Sequence, residues 1–152
     1  VQKDIYQLVL AAQEAAITTV KPGNSWNEPH QAALQVLTQG FIDFGMCKGS
    51  VDAVIESEDY KRFYMHRTGH WLGLDVHDAG EYKQNGEWRY MQPGMVLTVE
   101  PGCYIRPADN VPKPFWNIGI RIEDDVLVTQ TGYEILTIAT PKSVDDIEEL
   151  MR

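Results

Sequence analysis

Apolar positions recur at helical spacing through the first twenty residues. Ile5, Leu8, Val9, Ala12, Ala16 and Val20 fall on one stripe, which predicts an amphipathic helix over residues 3–20. The stretch KPGNS (21–25) ends it, because proline and glycine interrupt the pattern. Ser25 followed by Glu28 has the form of a capping box, with Asn27 ahead of Pro29 as a rival cap. Leu34, Leu37, Phe41 and Phe44 then predict the buried stripe of a second helix, closed by Gly45. SVDAVIESEDY (50–60) predicts a short third helix capped by Ser50.

Near residue 62 the period falls towards two, and aromatic and β-branched residues alternate with glycine and proline. MVLTVEPG (95–102) and IGIRIEDDVLVTQTGYEIL (118–136) are the clearest strands. SVDDIEELMR (143–152) predicts a closing helix with Ser143 as cap and acids in its first turn. Helices precede strands with no βαβ rhythm, so the expected class is α+β with an antiparallel sheet.

Alternation also sorts the strand side chains. Met95, Leu97 and Val99 share one face, and Val96, Thr98 and Glu100 the other. Pro101 has no N–H for a ladder, so pairing should falter just after Glu100. On the second strand Ile118, Ile120, Ile122, Val126 and Val128 form an apolar face suited to packing against helices. Arg121, Glu123 and Asp125 lie opposite, and a slip of one residue would bury Arg121 and Glu123. A single glutamate on a strand is most often merely solvated. Two of them with an imidazole form a mixed N/O donor set suited to Mn²⁺, Zn²⁺, Fe²⁺ or Co²⁺.

Three of the four histidines lie in HRTGHWLGLDVHDAGEY (66–82). His66 and His70 are four apart, but Gly69 and Gly73 argue against a helix interior. The segment reads as extended or irregular, with glycines that let backbone approach a site closely. Strict alternation from His70 sends His77 to the opposite face, so it reaches the same cavity only from a bend. Taken singly each histidine is more often structural; beside the two strand glutamates the cluster points to a site.

Composition narrows the partners. The 152 residues, 43% of them hydrophobic, suit one domain with a proper core. A net charge of −9 without any basic cluster disfavours nucleic acid and anionic membranes. Cys47 and Cys103 are far apart and read as free thiols of a reducing, cytoplasmic setting. No apolar run approaches a membrane span. A chain that opens on Val rather than Met reads as cut from something longer.

HRTGHWLGLDVHDAGEY, MQPGMVLTVEPGCYI and GIRIEDDVLVT follow one another in an order and spacing that resemble the proline-specific metallopeptidases of the Xaa-Pro aminopeptidase and prolidase group. The resemblance implies a pita-bread fold, a curved antiparallel sheet with helices on its convex face. It implies metal-dependent hydrolysis of an N-terminal X-Pro bond. It also implies His70, Glu100 and Glu123 as metal ligands, with Glu123 bridging two ions, usually Mn²⁺ and sometimes Co²⁺ or Zn²⁺. Glu100 would also handle the proton of the attacking water. His66 and His77 would contact the substrate at the scissile bond, with Arg121 and Tyr104 beside the metals. Trp71, Trp88 and Trp116 are candidates for a proline-recognising pocket, although large aromatics are more often core.

The family's two aspartate ligands have no counterpart here. Residues 1–152 therefore read as a single domain, the C-terminal portion of the catalytic domain. At most one weakly bound metal and little activity are expected of it alone, and the intact enzyme is expected to be a homo-oligomer. Alternatives are a prolidase, another pita-bread aminopeptidase, or a non-catalytic pita-bread binding module.

Overall fold

A computed structural model describes residues 1–152. Helix α1 runs over Gln2–Thr18 and α2 over Glu28–Asp43, followed by the short α3, Val51–Glu56. Seven short strands follow: β1 (Lys83–Gln84), β2 (Glu87–Trp88), β3 (Val96–Val99), β4 (Gly102–Tyr104), β5 (Gly119–Arg121), β6 (Asp124–Val128) and β7 (Tyr133–Ile135). Helix α4, Val144–Leu150, closes the chain. Every strand pairing is antiparallel, as expected of an α+β chain.

The helical stripes form the core. Ile5, Val9, Ala12 and Ala16 of α1 are fully buried, as are Leu37 and Phe41 of α2. At the α1–α2 crossing, a Cβ added at Gly40 would overlap the Leu8 side chain, so the small residue sets how closely these helices approach. Ser50 and Ser143 cap α3 and α4 as expected, whereas Asn27 takes the N-cap position of α2 without a side-chain bond. Glu28 accepts from the Ser25 backbone N–H at 2.9 Å, Ser50 Oγ accepts from Ala53 N–H, and Ser143 Oγ from Asp146 N–H.

The strand expected over 118–136 is divided in three. Its first break lies at Ile122–Glu123, and the second is the turn at Thr129–Gly132 that leads into β7. The cause of the first break lies in the partner strand. Pro101 interrupts β3–β4 after Val99, and the β5–β6 strand loses its ladder opposite the gap. One register nevertheless runs on both sides, with Val99 opposite Asp124 and Gly102 opposite Arg121. Glu100 and Glu123 therefore face each other across the interruption.

Ile122, Val126 and Val128 are buried and Ile118 and Ile120 half-buried, in line with the expected apolar face. Asp124 shares that face and is 1% exposed. Its carboxylate accepts from Gln13 Nε2 (2.9 Å), Thr137 Oγ1 (2.6 Å) and Lys142 Nζ (3.0 Å). Such a buried charge is tolerated because each neighbour is a donor. It ties α1, β6 and the segment before α4 together.

Candidate metal centre

The segment 66–82 forms no named strand, but its first part lies antiparallel along β3. Leu72 N–H donates to Val96 O, Thr98 N–H to His70 O and Glu100 N–H to Thr68 O. This alignment is possible because of Gly69. A Cβ there would lie 1.9 Å from the Thr98 carbonyl oxygen, a backbone atom that cannot yield. The expected close backbone approach is thus real.

The alignment brings His70 to the two facing glutamates. One ligand atom from each of His70, Glu100 and Glu123 lies within 4.8 Å of the others. His70 Nδ1 is 2.9 Å from Trp71 O, and since a carbonyl only accepts, Nδ1 carries the proton. Nε2 then presents a lone pair, 3.1 Å from Glu100 Oε1. Two acceptors at that distance require a proton or a cation between them. Like charges directly opposite on paired strands are likewise unfavourable unless neutralised. Partial burial first, then the charges of Glu100 and Asp125, push the Glu123 carboxyl above its ordinary value, although one side stays exposed. A divalent cation answers all three features, and the donor set matches the chemistry of Mn²⁺, Co²⁺ or Zn²⁺.

Four further sequence candidates surround the cluster. His66 Nδ1 is paired with Arg67 O at 2.8 Å, leaving Nε2 to accept from the Tyr104 hydroxyl at 2.9 Å. Tyr104 in turn accepts from Arg121 Nε at 2.7 Å, and Arg121 Nη1 lies 3.3 Å from Glu100 Oε2. His77 sits in the bend after Gly73 with its ring 4.4 Å from that of His70. The bend, rather than strand alternation, delivers it there.

The three tryptophans do not share one pocket. Trp88 lines a cleft of about 400 Å³ with Trp26, Arg67, Gly69, Tyr82 and Lys83. Trp71 is buried and packed on Trp26 and Tyr82, while Trp116 donates its indole N–H to Val111 O elsewhere. Of the three, only Trp71 is a core residue. Both thiols are buried, and desolvation, with Asp59 adding to it at Cys47, pushes each up to about 12, so neither is a nucleophile at neutral pH. No helix is long and apolar enough to cross a membrane.

His30 carries no sequence motif, yet it supports the site from behind. Its Nδ1 lies 2.9 Å from Thr68 Oγ1, which also bonds the Tyr64 hydroxyl at 2.6 Å. Burial, with Arg67 and His66 adding like charge, lowers its pKa from 6.5 to about 4. The unfolded chain therefore binds a proton that the folded one refuses between those values. Stability from neutral His30 is complete above pH 6.5 and is lost as pH falls towards 4, by roughly 3 kcal/mol at most. Melting wild type and His30→Gln at pH 7 and pH 4.5 checks this: the variant should lose less stability on acidification, and parallel losses would contradict it.

The chain matches the model of metallopeptidase family M24 over residues 1–130. It is 51% identical over 150 residues to a Haemophilus influenzae Xaa-Pro aminopeptidase, covering 99% of this chain and 35% of that protein. Its identity to an Escherichia coli Xaa-Pro aminopeptidase is 45%, over 99% of this chain and 34% of the other. Among solved structures, Pseudomonas aeruginosa aminopeptidase PepP superposes with a TM-score of 0.95 at 55% identity, over 98% of this chain and 34% of that one. Escherichia coli aminopeptidase P with the inhibitor Pro-Leu gives 0.92 at 45% identity, over 99% and 34%. The chain thus spans about a third of the length of these relatives.

Proposed function

This chain belongs to metallopeptidase family M24, and from that premise we propose that it is the C-terminal, metal-holding part of the catalytic domain of an Xaa-Pro aminopeptidase. Its α+β fold is the pita-bread fold of the aminopeptidase P structures. The observation that carries the proposal is the meeting of His70 with two glutamates that face each other across a broken ladder.

His70, Glu100 and Glu123 would hold the ion, Mn²⁺ in our reading with Co²⁺ or Zn²⁺ as substitutes. A bound divalent cation supplies Lewis acidity and lowers the pKa of a water. Glu100, with Oε1 turned to the cluster and Oε2 braced by Arg121, would take a proton from the attacking water. The Arg121–Tyr104–His66 chain holds His66 at the edge of the centre, and His77 flanks the other side of His70. Both imidazoles can thus receive a substrate carbonyl region. An X-Pro bond has no N–H to enter a strand ladder, which suits a site that grips by side chains. The cluster offers three ligands, so a second ion would need the family's two aspartates from outside these residues. Alone, the chain should hold one ion weakly and cleave little. We also place the enzyme in the cytoplasm, in keeping with two buried free thiols, and as a homo-oligomer when intact.

A chimera tests the activity. This chain would replace the matching segment of the Haemophilus influenzae relative. With Mn²⁺ it should release the first residue of Xaa-Pro peptides and spare Xaa-Ala peptides, and Glu123→Gln should cut turnover at least about a thousandfold. A folded chimera that holds Mn²⁺ without cleaving would sink the enzymatic reading; equal cleavage of Xaa-Ala would sink the proline preference.

A further inference from the structure

Thr98 lies between two of the three clustered side chains and is 2% exposed. Glu100 follows two residues on, just past the end of β3. A hydroxyl has one proton and two lone pairs. The His70 backbone N–H can only donate, so at 3.1 Å the hydroxyl accepts from it. Its own proton is left for Glu100 Oε1 at 3.0 Å. Both bonds are therefore directional, and the first joins residues 28 positions apart in the chain.

We propose that Thr98 is a positioning residue of the metal centre: its hydroxyl couples the His70 backbone to the Glu100 carboxylate and holds both ligands in place before any ion arrives. This rests on the metal-centre reading above. The Glu100 carboxylate is gripped at both ends, by Thr98 on Oε1 and Arg121 on Oε2, which fixes the rotation of its terminal torsion. The Thr98 main chain is pinned as well, because its carbonyl abuts Gly69 and its N–H donates to His70 O. The hydroxyl is thus fixed relative to both partners. Partners of this kind, which orient ligands without touching the ion, commonly alter metal affinity by about 10–100-fold.

Valine has nearly the same shape and strand preference as threonine but no hydroxyl, whereas serine keeps the hydroxyl. Two measurements on wild type, Thr98→Val and Thr98→Ser separate positioning from packing. One is the Mn²⁺ dissociation constant from titration calorimetry. The other is amide exchange of His70 in the metal-free protein, followed by NMR. Thr98→Val should weaken Mn²⁺ binding by about 10-fold or more and speed His70 exchange, while Thr98→Ser stays near wild type in both. Thr98→Ala carries the same expectation as valine and decides the matter if the valine variant does not fold. Native affinity and native His70 protection in the folded hydroxyl-free variant would overturn the proposal. So would a folded serine variant as impaired as valine, because the hydroxyl by itself would then not hold the two ligands. If wild type takes up no Mn²⁺, the metal-centre reading falls by itself. The exchange comparison needs no metal, and it still decides the coupling: faster exchange in the valine variant supports it, unchanged exchange refutes it.

Discussion

Glu123→Gln should abolish Mn²⁺ uptake by this chain while leaving the metal-free fold at least as stable as wild type. The two halves of that expectation share one cause. Glu123 faces Glu100 across the gap in the β3–β4 and β5–β6 ladders, and the carboxylates repel unless a cation lies between them. Removing the Glu123 charge relieves that repulsion, a gain of about 0.2–1 kcal/mol for opposed strand charges. It also removes the anionic ligand shared with His70 and Glu100. With free Mn²⁺ at a hundredfold excess over its dissociation constant, wild type gains about 2.7 kcal/mol. For a chain of this size that raises the melting temperature by roughly 5–10 °C. The variant should show no such rise. Glu100→Gln should lose the rise too, but without gain in the metal-free state, since it also forfeits partners at Thr98 and Arg121. A Mn²⁺-dependent rise of wild-type size in Glu123→Gln would remove the metal centre from this cluster.

Gly69→Ala should be among the most damaging single substitutions in the chain. Its Cβ would lie 1.9 Å from Thr98 O, inside the stretch where segment 66–72 lies along β3. The clash cannot be relieved by a side-chain rotation, so the two backbones must separate. Overpacking of this kind costs roughly 3 kcal/mol or more, a fall in melting temperature of about 6–12 °C. Separation also draws His70 away from Glu100, so Mn²⁺ binding should vanish with stability still measurable. Gly132→Ala is the control, because a Cβ there meets nothing within 4 Å; it should stay within about 0.5 kcal/mol of wild type. Thermal melts with and without Mn²⁺ on both variants suffice, and equal behaviour of the two would contradict the close-approach argument.

The helices and their caps were legible because their causes are local. A stripe at 3.6-residue spacing, or a serine three residues before its N–H partner, can be read within one turn. That Glu100 and Glu123 lie off the apolar faces of their strands was legible for the same reason, through alternation and the proline that follows Glu100. The long strand expected over 118–136 was not, because its interruption at Glu123 is imposed by Pro101 on the neighbouring strand. His77 escaped alternation by a bend, and Asp124 sits on an apolar face because Gln13, Thr137 and Lys142 arrive there from other elements.

The order of residues alone therefore marked out which side chains are candidates for metal-binding chemistry and which strand faces they occupy. Burial periodicity and proline's missing N–H act over a few residues, whatever the rest of the chain does. Only the tertiary structure decided that Glu100 stands opposite Glu123, that Gly69 rests on Thr98, and that His30 is held neutral behind Thr68. Those relations join positions dozens of residues apart. Hydrogen bonds, overlaps and charge effects reach only a few ångströms, so folding must first make distant residues neighbours.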